Sequence, residues 1–311
     1  MAASPPIVLV LGSANMDLVA RVARIPKPGE SLIGTSFITV PGGKGANQAV
    51  AAARLGALTH FAGCVGSDAF GGQLRASLTA AGADTTYLRS HLTEPTGTAI
   101  ILVADDGSNS IVVTPSANFG LRPADVEALA PLFTGLDALL VQLEIPLDSV
   151  EAALDLARTH GVLSVLDAGP AQPVPQSLLR KADIVSPNET EAEAMTGIAV
   201  HSLDDALNAA RRLRELGARE VVMKLGGRGA LYVGEETIHM PGFRVRAVDT
   251  VAAGDAFTAA LALRWKSGAR EALRFANAAG ALAVTRHGAQ SAMPTLAEVE
   301  SFLCAQPEAV A

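Results

Sequence analysis

Little in the sequence invites a redox, metal or membrane reading. Of 311 residues only two are cysteine, Cys64 and Cys304, far apart and outside any C-x-x-C spacing, so no disulfide framework is expected and a reducing compartment fits. The six histidines are scattered, with no H-E-x-x-H and no paired His/Cys spacing, which leaves a transition-metal site without support. Aromatic residues make up 4%, too few for an aromatic-rich all-β sandwich. The net charge is −7, and no run of Lys or Arg resembles a nucleic-acid footprint or a polybasic membrane anchor. The stretch MAASPPIVLVLG lacks a basic start, and its apolar run IVLVL is too short for a signal core or a membrane span, so a cytoplasmic location is expected. These shortages favour a small-molecule partner, with no nucleic acid and no membrane.

What is present suits helices packed closely on a sheet: 49% apolar residues, 29 glycines, and much Ala and Val. Short β-branched runs alternate with alanine-rich helical stretches: IVLVLGS, KGANQAVAAARLG, THFAGCVG, FGGQLRASLTAAG. The rhythm resumes with DALLVQLE, SVEAALDLARTHG, LSVLDAG, ADIVSPN, LDDALNAARRLRELG and EVVMKLGG, with helices closed by Gly161 and Gly217. This is the βαβα order of an α/β fold with a parallel sheet. Polar residues and glycines gather at the strands' carboxyl ends, where open sheets bind ligands. Two segments, about 16–40 and 96–114, break the rhythm as strand-turn-strand, the second through an Asp-Asp-Gly-Ser turn. They predict a small second sheet, used as a lid or a dimer contact. A single domain over 1–311 carrying these two insertions is expected.

The chemistry-bearing stretches begin with two exclusions. Lys44 is followed by Gly45, so no P-loop occurs, and a dinucleotide fingerprint fails because Gln48 stands where its third glycine belongs. In DTVAAGDAF the helical pattern begins inside the small residues. The backbone N–H groups of Ala252, Ala253, Gly254 and Asp255 are therefore expected to point outward at the positive end of the helix dipole, as an anion site, with Gly254 relieving the turn. An aspartate in that turn repels what the amides attract, unless it faces a hydroxyl about to attack phosphorus. Asp255 reads equally as a first-turn acid or as a proton acceptor. In PGGKGANQ, Gly42 and Gly43 give a permissive backbone and Lys44 stands at a helix start, where the dipole disfavours a cation. A polyhydroxy ligand shared with Asn47 would compensate it; solvent is the plainer alternative. Asn188-Glu189-Thr190-Glu191 has capping-box spacing, compatible with Glu191 also orienting a hydrated Mg²⁺. KLGGRGA at 224–230 fits a nucleotide loop or a plain hairpin turn.

These stretches, taken in order with GSANMD at 12–17, QLE, PGFRVRAVDTVAAGDAF and AVTRHGAQ, resemble the PfkB carbohydrate-kinase family over nearly the whole chain, and its ribokinases in particular. The resemblance implies a ribokinase-like fold of three αβα layers about a mostly parallel sheet with a small β-sheet lid. It implies ATP-dependent phosphorylation of D-ribose at its 5-hydroxyl, with Asp255 as base and residues 252–255 as anion hole. By position, Asn15, Met16, Asp17, Gly43, Lys44, Gly45, Ala46, Asn47 and Glu144 would meet the sugar. ATP would lie along Lys224, Leu225, Gly226, Gly227, Arg228 and Gly229, with Asn188, Gly254, Asp255 and Asn277, and Glu191 would serve Mg²⁺ through water. An activating K⁺ is implied at Asp249, Val251, Ala283, Arg286, Gly288 and Ala292, although Ala292 replaces a serine often found there, and a homodimer through the lid strands is implied as well. Deoxyribose, a ketose or a nucleoside are rival acceptors within the family. A sugar-binding regulator without turnover is the rival of another class.

Overall fold

The computed structural model describes residues 4–306. A parallel core is laid down first by β1 (Ile7–Leu11), β4 (Leu58–Gly66) and β5 (Leu88–His91), and then on the other side of β1 by β8 (Ala138–Val141), β9 (Leu163–Asp167), β10 (Ile184–Ser186) and β11 (Glu220–Lys224). The strands β12 (Ala230–Val233) and β13 (Thr237–Met240) extend it antiparallel, giving nine strands in the order β13-β12-β11-β10-β9-β8-β1-β4-β5. The order in which strands are added reverses between parallel β1 and β8, a switch point of the kind at which α/β sheets bind ligands.

Alternation along each strand explains the three layers. Val8 and Val10 of β1 face one apolar cluster, and Leu9 and Leu11 face the other. The first cluster takes in α1 (Lys44–Arg54), α2 (Ala69–Ala80), α9 (Ala253–Arg264), α10 (Ala269–Ala283) and α11 (Leu296–Ala305). The second takes in α3 (Pro123–Glu127), α4 (Ala130–Phe133), α5 (Leu147–His160), α6 (Gln176–Lys181), α7 (Glu189–Thr196) and α8 (Leu203–Glu215). Helix α9 is buried from Asp255 to Ala262 and packs between α1, α10 and the sheet; Ala256, Ala259 and Ala260 are fully buried, and their small side chains let the neighbouring backbones approach. That burial carries Asp255, in its first turn, into the interior.

Helices α2, α7, α8 and α11 start with side-chain caps from Asp68, Asn188, Ser202 and Thr295. Helices α1 and α9 have none: their N-caps are Gly43 at φ 90° and Ala252 at φ 58°. As the sequence suggests, Gly161 closes α5 in the left-handed conformation. The two insertions form a separate four-stranded sheet, in the order β3-β2-β6-β7, from β2 (Asn15–Val22), β3 (Ser36–Gly42), β6 (Gly97–Ala104) and β7 (Asn109–Thr114). Its β2–β6 pair is parallel and its two hairpin pairs antiparallel. No helix among the described residues is long and apolar enough to cross a membrane.

Candidate active site

A cleft of about 790 Å³ opens at the carboxyl ends of β10 and β11, bounded by the start of α9 and by residues of α10. Into it converge Lys44, Asn188, Glu191, Lys224, Ala252, Gly254 and Asp255, from parts of the chain far apart in sequence. The start of α9 departs from expectation in one detail. The left-handed turn is made by Ala252 rather than by Gly254, so an alanine bears a conformation that glycine adopts more readily. The turn is tight enough for the Asp255 N–H to donate back to the Ala252 carbonyl at 3.1 Å, and the Ala253 N–H reaches the Thr250 carbonyl at 3.4 Å. Only the N–H groups of Ala252 and Gly254 find no acceptor among the described residues, so the anion-ready edge is narrower than four amides.

Beneath that edge lies a buried charge network whose centre the sequence did not announce. Asp167, at the end of β9, is fully buried and accepts from Gln48 Nε2 at 3.0 Å, Thr258 Oγ1 at 3.1 Å and its neighbour Gly169 N at 3.1 Å. Lys224 Nζ stands 3.1 Å from it and Lys44 Nζ 3.6 Å, and each ammonium is also 3.8 Å from Glu191. Burial alone would raise Asp167, but Lys224 and then Lys44 hold it below the usual carboxylate range. Burial pushes Lys44 down, and Asp167, Asp255, Glu191 and Glu144 together more than offset this, leaving it firmly protonated. The cation at the start of α1 is thus compensated by protein carboxylates, a partner that sequence reasoning did not name.

Asp255 sits differently. Its Oδ2 accepts from Asn47 Nδ2 at 3.0 Å and its Oδ1 from Gln48 Nε2 at 3.1 Å, but it makes no ion pair among the described residues. Burial raises its pKa to about 6; Lys44 and the two amides pull it down, and the Asp167 charge pushes it up.

Beside Asp255, on the side of the smaller sheet, Asp17 of β2 is raised to about 7 by burial, then by Glu144 and Asp255. Glu144, following β8, is aimed by Ser13 Oγ at 2.5 Å and the Lys44 N–H at 3.1 Å. Asn15 is nearly buried, and its Oδ1 accepts from Asn118 Nδ2 at 2.7 Å, which leaves its own amide donors free. The Oδ1 of Asn47 is buried without a partner. Gly43 must be glycine: beyond its positive φ, a Cβ there would come within 2.7 Å of Asn15 N. Met16, Gly45 and Ala46 are buried, with the Met16 side chain in the core, so only their backbone bears on this side.

The remaining sequence candidates separate clearly. Residues Gly226, Gly227 and Gly229 line the cleft within a turn that joins antiparallel β11 and β12, so this loop is a hairpin and a cleft wall at once. Leu225 is buried, and Arg228 turns outward to Glu189 and the His201 carbonyl. Asn188 caps α7 while Glu191 Oε2 accepts its N–H, the capping box that the spacing implies. Asn277 spends its amide on the carbonyls of Met240 and Pro241, anchoring the segment that runs along the cleft. Asp249 binds the N–H groups of Val251 and Gly288 and so ties the loop before α9 to the segment after α10. Arg286 pairs with Glu298, and Ala283 and Ala292 are buried. Asp167, Gln48, Gln142, Ser13 and Asn118 were missed. The available signal for Asp167 was a lone aspartate at the carboxyl end of a buried strand, in LSVLDAG.

A model of the pfkB family carbohydrate kinases matches residues 7–296. The ribokinase of Haemophilus influenzae is 43% identical over 298 residues, 94% of this chain and 97% of that protein. A deoxyribokinase of Salmonella typhimurium is 36% identical over 300 residues, covering 95% of this chain and 98% of its own. Among solved structures, Arabidopsis thaliana ribokinase complexed with ribose and ATP superposes with a TM-score of 0.88 at 35% identity, covering 96% of this chain and 99% of that one. The family match and these relatives make the chain a phosphotransferase, and an anion-ready helix start beside buried carboxylates agrees with that class. The chain belongs to the PfkB family of carbohydrate kinases.

Proposed function

We propose that the protein transfers the γ-phosphoryl group of ATP to the 5-hydroxyl of D-ribose, giving D-ribose 5-phosphate and ADP, with Asp255 as general base. The observation that carries this is the place of Asp255: it is buried where the cleft meets the Asp17–Glu144 side, beside the acceptor-free amides of Ala252 and Gly254. As the hydroxyl oxygen bonds to phosphorus and the bond to the ADP oxygen breaks, the hydroxyl proton passes to Asp255. The two amides face the charge on the moving phosphoryl group. Asn15, Asp17, Asn47 and Glu144 offer both donors and acceptors, as a polyol requires, and the Asn47 oxygen lacking a partner awaits a hydroxyl. Lys44 adds its ammonium at the junction, and the adenine nucleotide lies along 224–229 between Asn188 and Asn277. Closure of the smaller sheet would exclude water as a competing acceptor.

Two ions fit. Glu191 borders the cleft, and among the described residues its Oε1 meets only the Lys44 ammonium, at 3.8 Å, so it would serve a hydrated Mg²⁺ through water rather than as a direct ligand, the ion neutralising phosphate charge. The carbonyls of Asp249, Val251 and Arg286 accept no hydrogen bond among the described residues, as a K⁺ site requires, whereas the Ala283 carbonyl already accepts from the Arg286 N–H at 3.3 Å; Gly288 and Ala292 complete the proposed set. The exposed Phe37, Ile38 and Val112 of the smaller sheet support a homodimer through that sheet, and the ATP requirement suits a cytoplasmic enzyme.

The rival with an observation behind it is deoxyribose, because a deoxyribokinase is 36% identical to this chain. Asn15 and Asp17 favour ribose, since buried polar groups left unpaired reject the deoxy sugar. The test is ADP formation against pentoses, hexoses and nucleosides, first in K⁺ and then in Na⁺. Turnover highest with ribose and higher in K⁺ is the expected result. Equal rates with deoxyribose remove the ribose assignment, ribose binding without turnover indicates a regulator, and an absent cation effect removes the K⁺ site.

A further inference from the structure

The transfer step makes no use of Gln48, the residue that spoils the dinucleotide fingerprint. It is fully buried on α1, and its amide nitrogen touches both buried aspartates, 3.0 Å from Asp167 Oδ2 and 3.1 Å from Asp255 Oδ1. Its Oε1 accepts from Gln142 Nε2 at 2.6 Å, and Gln142 is fully buried as well. An amide has one donor end and one acceptor end, so its direction has chemical consequences. As placed, two N–H donors meet two carboxylates. Reversed, an oxygen would face both carboxylates and a nitrogen would face the nitrogen of Gln142. The two carboxylates set the direction of Gln48, and Gln142, its own Oε1 buried without a partner among the described residues, backs that direction from the other end. It has little room to swing away, because its Oε1 fills the space beside Gly12, where a Cβ would come within 1.9 Å of it.

We propose that Gln48, backed by Gln142, is a positioning residue that clamps the plane of Asp255 and keeps that carboxylate ready to take a proton. With Asn47 on Oδ2 and Gln48 on Oδ1, adjacent residues of α1 fix both oxygens of a side chain that α9 supplies. The charged groups facing Asp255 are Lys44 from α1, Asp167 from β9 and Asp17 from β2. Lys224 reaches in from β11 toward Gly254 and neutralises Asp167. Gln48 can serve both carboxylates because one of them is already matched by lysines. Losing a hydrogen bond to the charged form of Asp255 raises its proton affinity, so the acid limb of activity must move upward.

This inference rests on Asp255 being the base, and the two are separable. The acid limb of kcat/KM and the values of kcat and of KM for ATP are measured from pH 5 to 9 for Gln48→Met, Gln142→Glu, Gln142→Met and Asp255→Asn, with thermal unfolding as the folding control. Gln48→Met is expected to lower kcat by roughly 10–100-fold and to move the acid limb up by about one pH unit, with KM for ATP little changed. Gln142→Glu, which invites Gln48 to turn its nitrogen away from the aspartates, should move the limb in the same direction, and Gln142→Met by less. An acid limb and kcat unchanged in Gln48→Met, while Asp255→Asn is inactive, overturn the positioning role alone. If Gln48→Met fails to fold, an unmoved limb in both Gln142 variants overturns it. Near-normal turnover by Asp255→Asn removes the base, and the inference with it.

Discussion

The two sides of the site treat their carboxylates in opposite ways. At the ends of β9 and β11, Asp167 and Glu191 are closed by Lys44 and Lys224, so charge is balanced before any ligand arrives. Toward the smaller sheet, burial raises both Asp17 and Asp255, the charges of Glu144 and Asp255 raise Asp17 further, and none of the three carboxylates makes an ion pair among the described residues. Three carboxylates with only the Lys44 charge nearby and no ion pair of their own would repel an anion and welcome hydroxyl donors, so this side suits an uncharged polyol. The matched side, with its glycines and cations, suits phosphates. The difference supports the proposed placement of the acceptor at one end and the nucleotide at the other.

Removing a carboxylate from the unmatched side should break the comparison most visibly. Asp255→Asn is expected to lower kcat by ~10²–10⁴-fold, read as ADP formation. Its stability should move the other way. Because the folded pKa of Asp255 is raised to about 6 above an ordinary 3.8, the stability it contributes is complete below pH 4 and lost as pH rises through 6. A neutral Asn escapes that loss, so the melting temperature at pH 7.5 should equal or exceed that of the native protein. On the matched side the expectation reverses: Lys224→Met strands Asp167 beside Lys44 alone and should destabilise the fold by about 3–5 kcal/mol in chemical denaturation. Asp17→Asn should lower kcat/KM for ribose by roughly 10–100-fold, about 1.5–3 kcal/mol for a charged hydrogen bond, while KM for ATP stays within about threefold. An equal rise in both KM values would show that the two sides are not separate. The smallest effect is expected outside the cleft. Arg286 and the backbone of Thr295 hold Glu298 down to about 2, so its contribution is present above pH 4.5 and lost as pH falls through 2. The pair is solvent-exposed, and Glu298→Gln should cost under about 1 kcal/mol at pH 7.

The layered sheet, the second sheet and the cleft-lining stretches were legible because each is a local pattern: strand alternation, a turn of Asp-Asp-Gly-Ser, small residues ahead of an apolar helix. The capping box at Asn188 was legible for the same reason. Three features were not. The left-handed residue before α9 is Ala252, whose own propensity argues against that conformation, so Gly254 drew the attention instead. Asp167 gains its meaning only when β9, α1 and β11 bring two lysines to it, a meeting that no sequence window contains. Gln48 was visible as a departure from a motif it does not belong to, and its partners Asp255 and Gln142 lie on other elements.

The most direct test is the pH dependence of kcat/KM for ribose in the native protein and in Asp255→Asn. The native profile should fall on the acid side as Asp17, raised to about 7, and then Asp255, raised to about 6, take up protons, and the variant should lie ~10²–10⁴-fold lower and lose the step near pH 6. A native profile flat from pH 5 to 8, or a variant within threefold of native turnover, would contradict the assignment of Asp255 as the base.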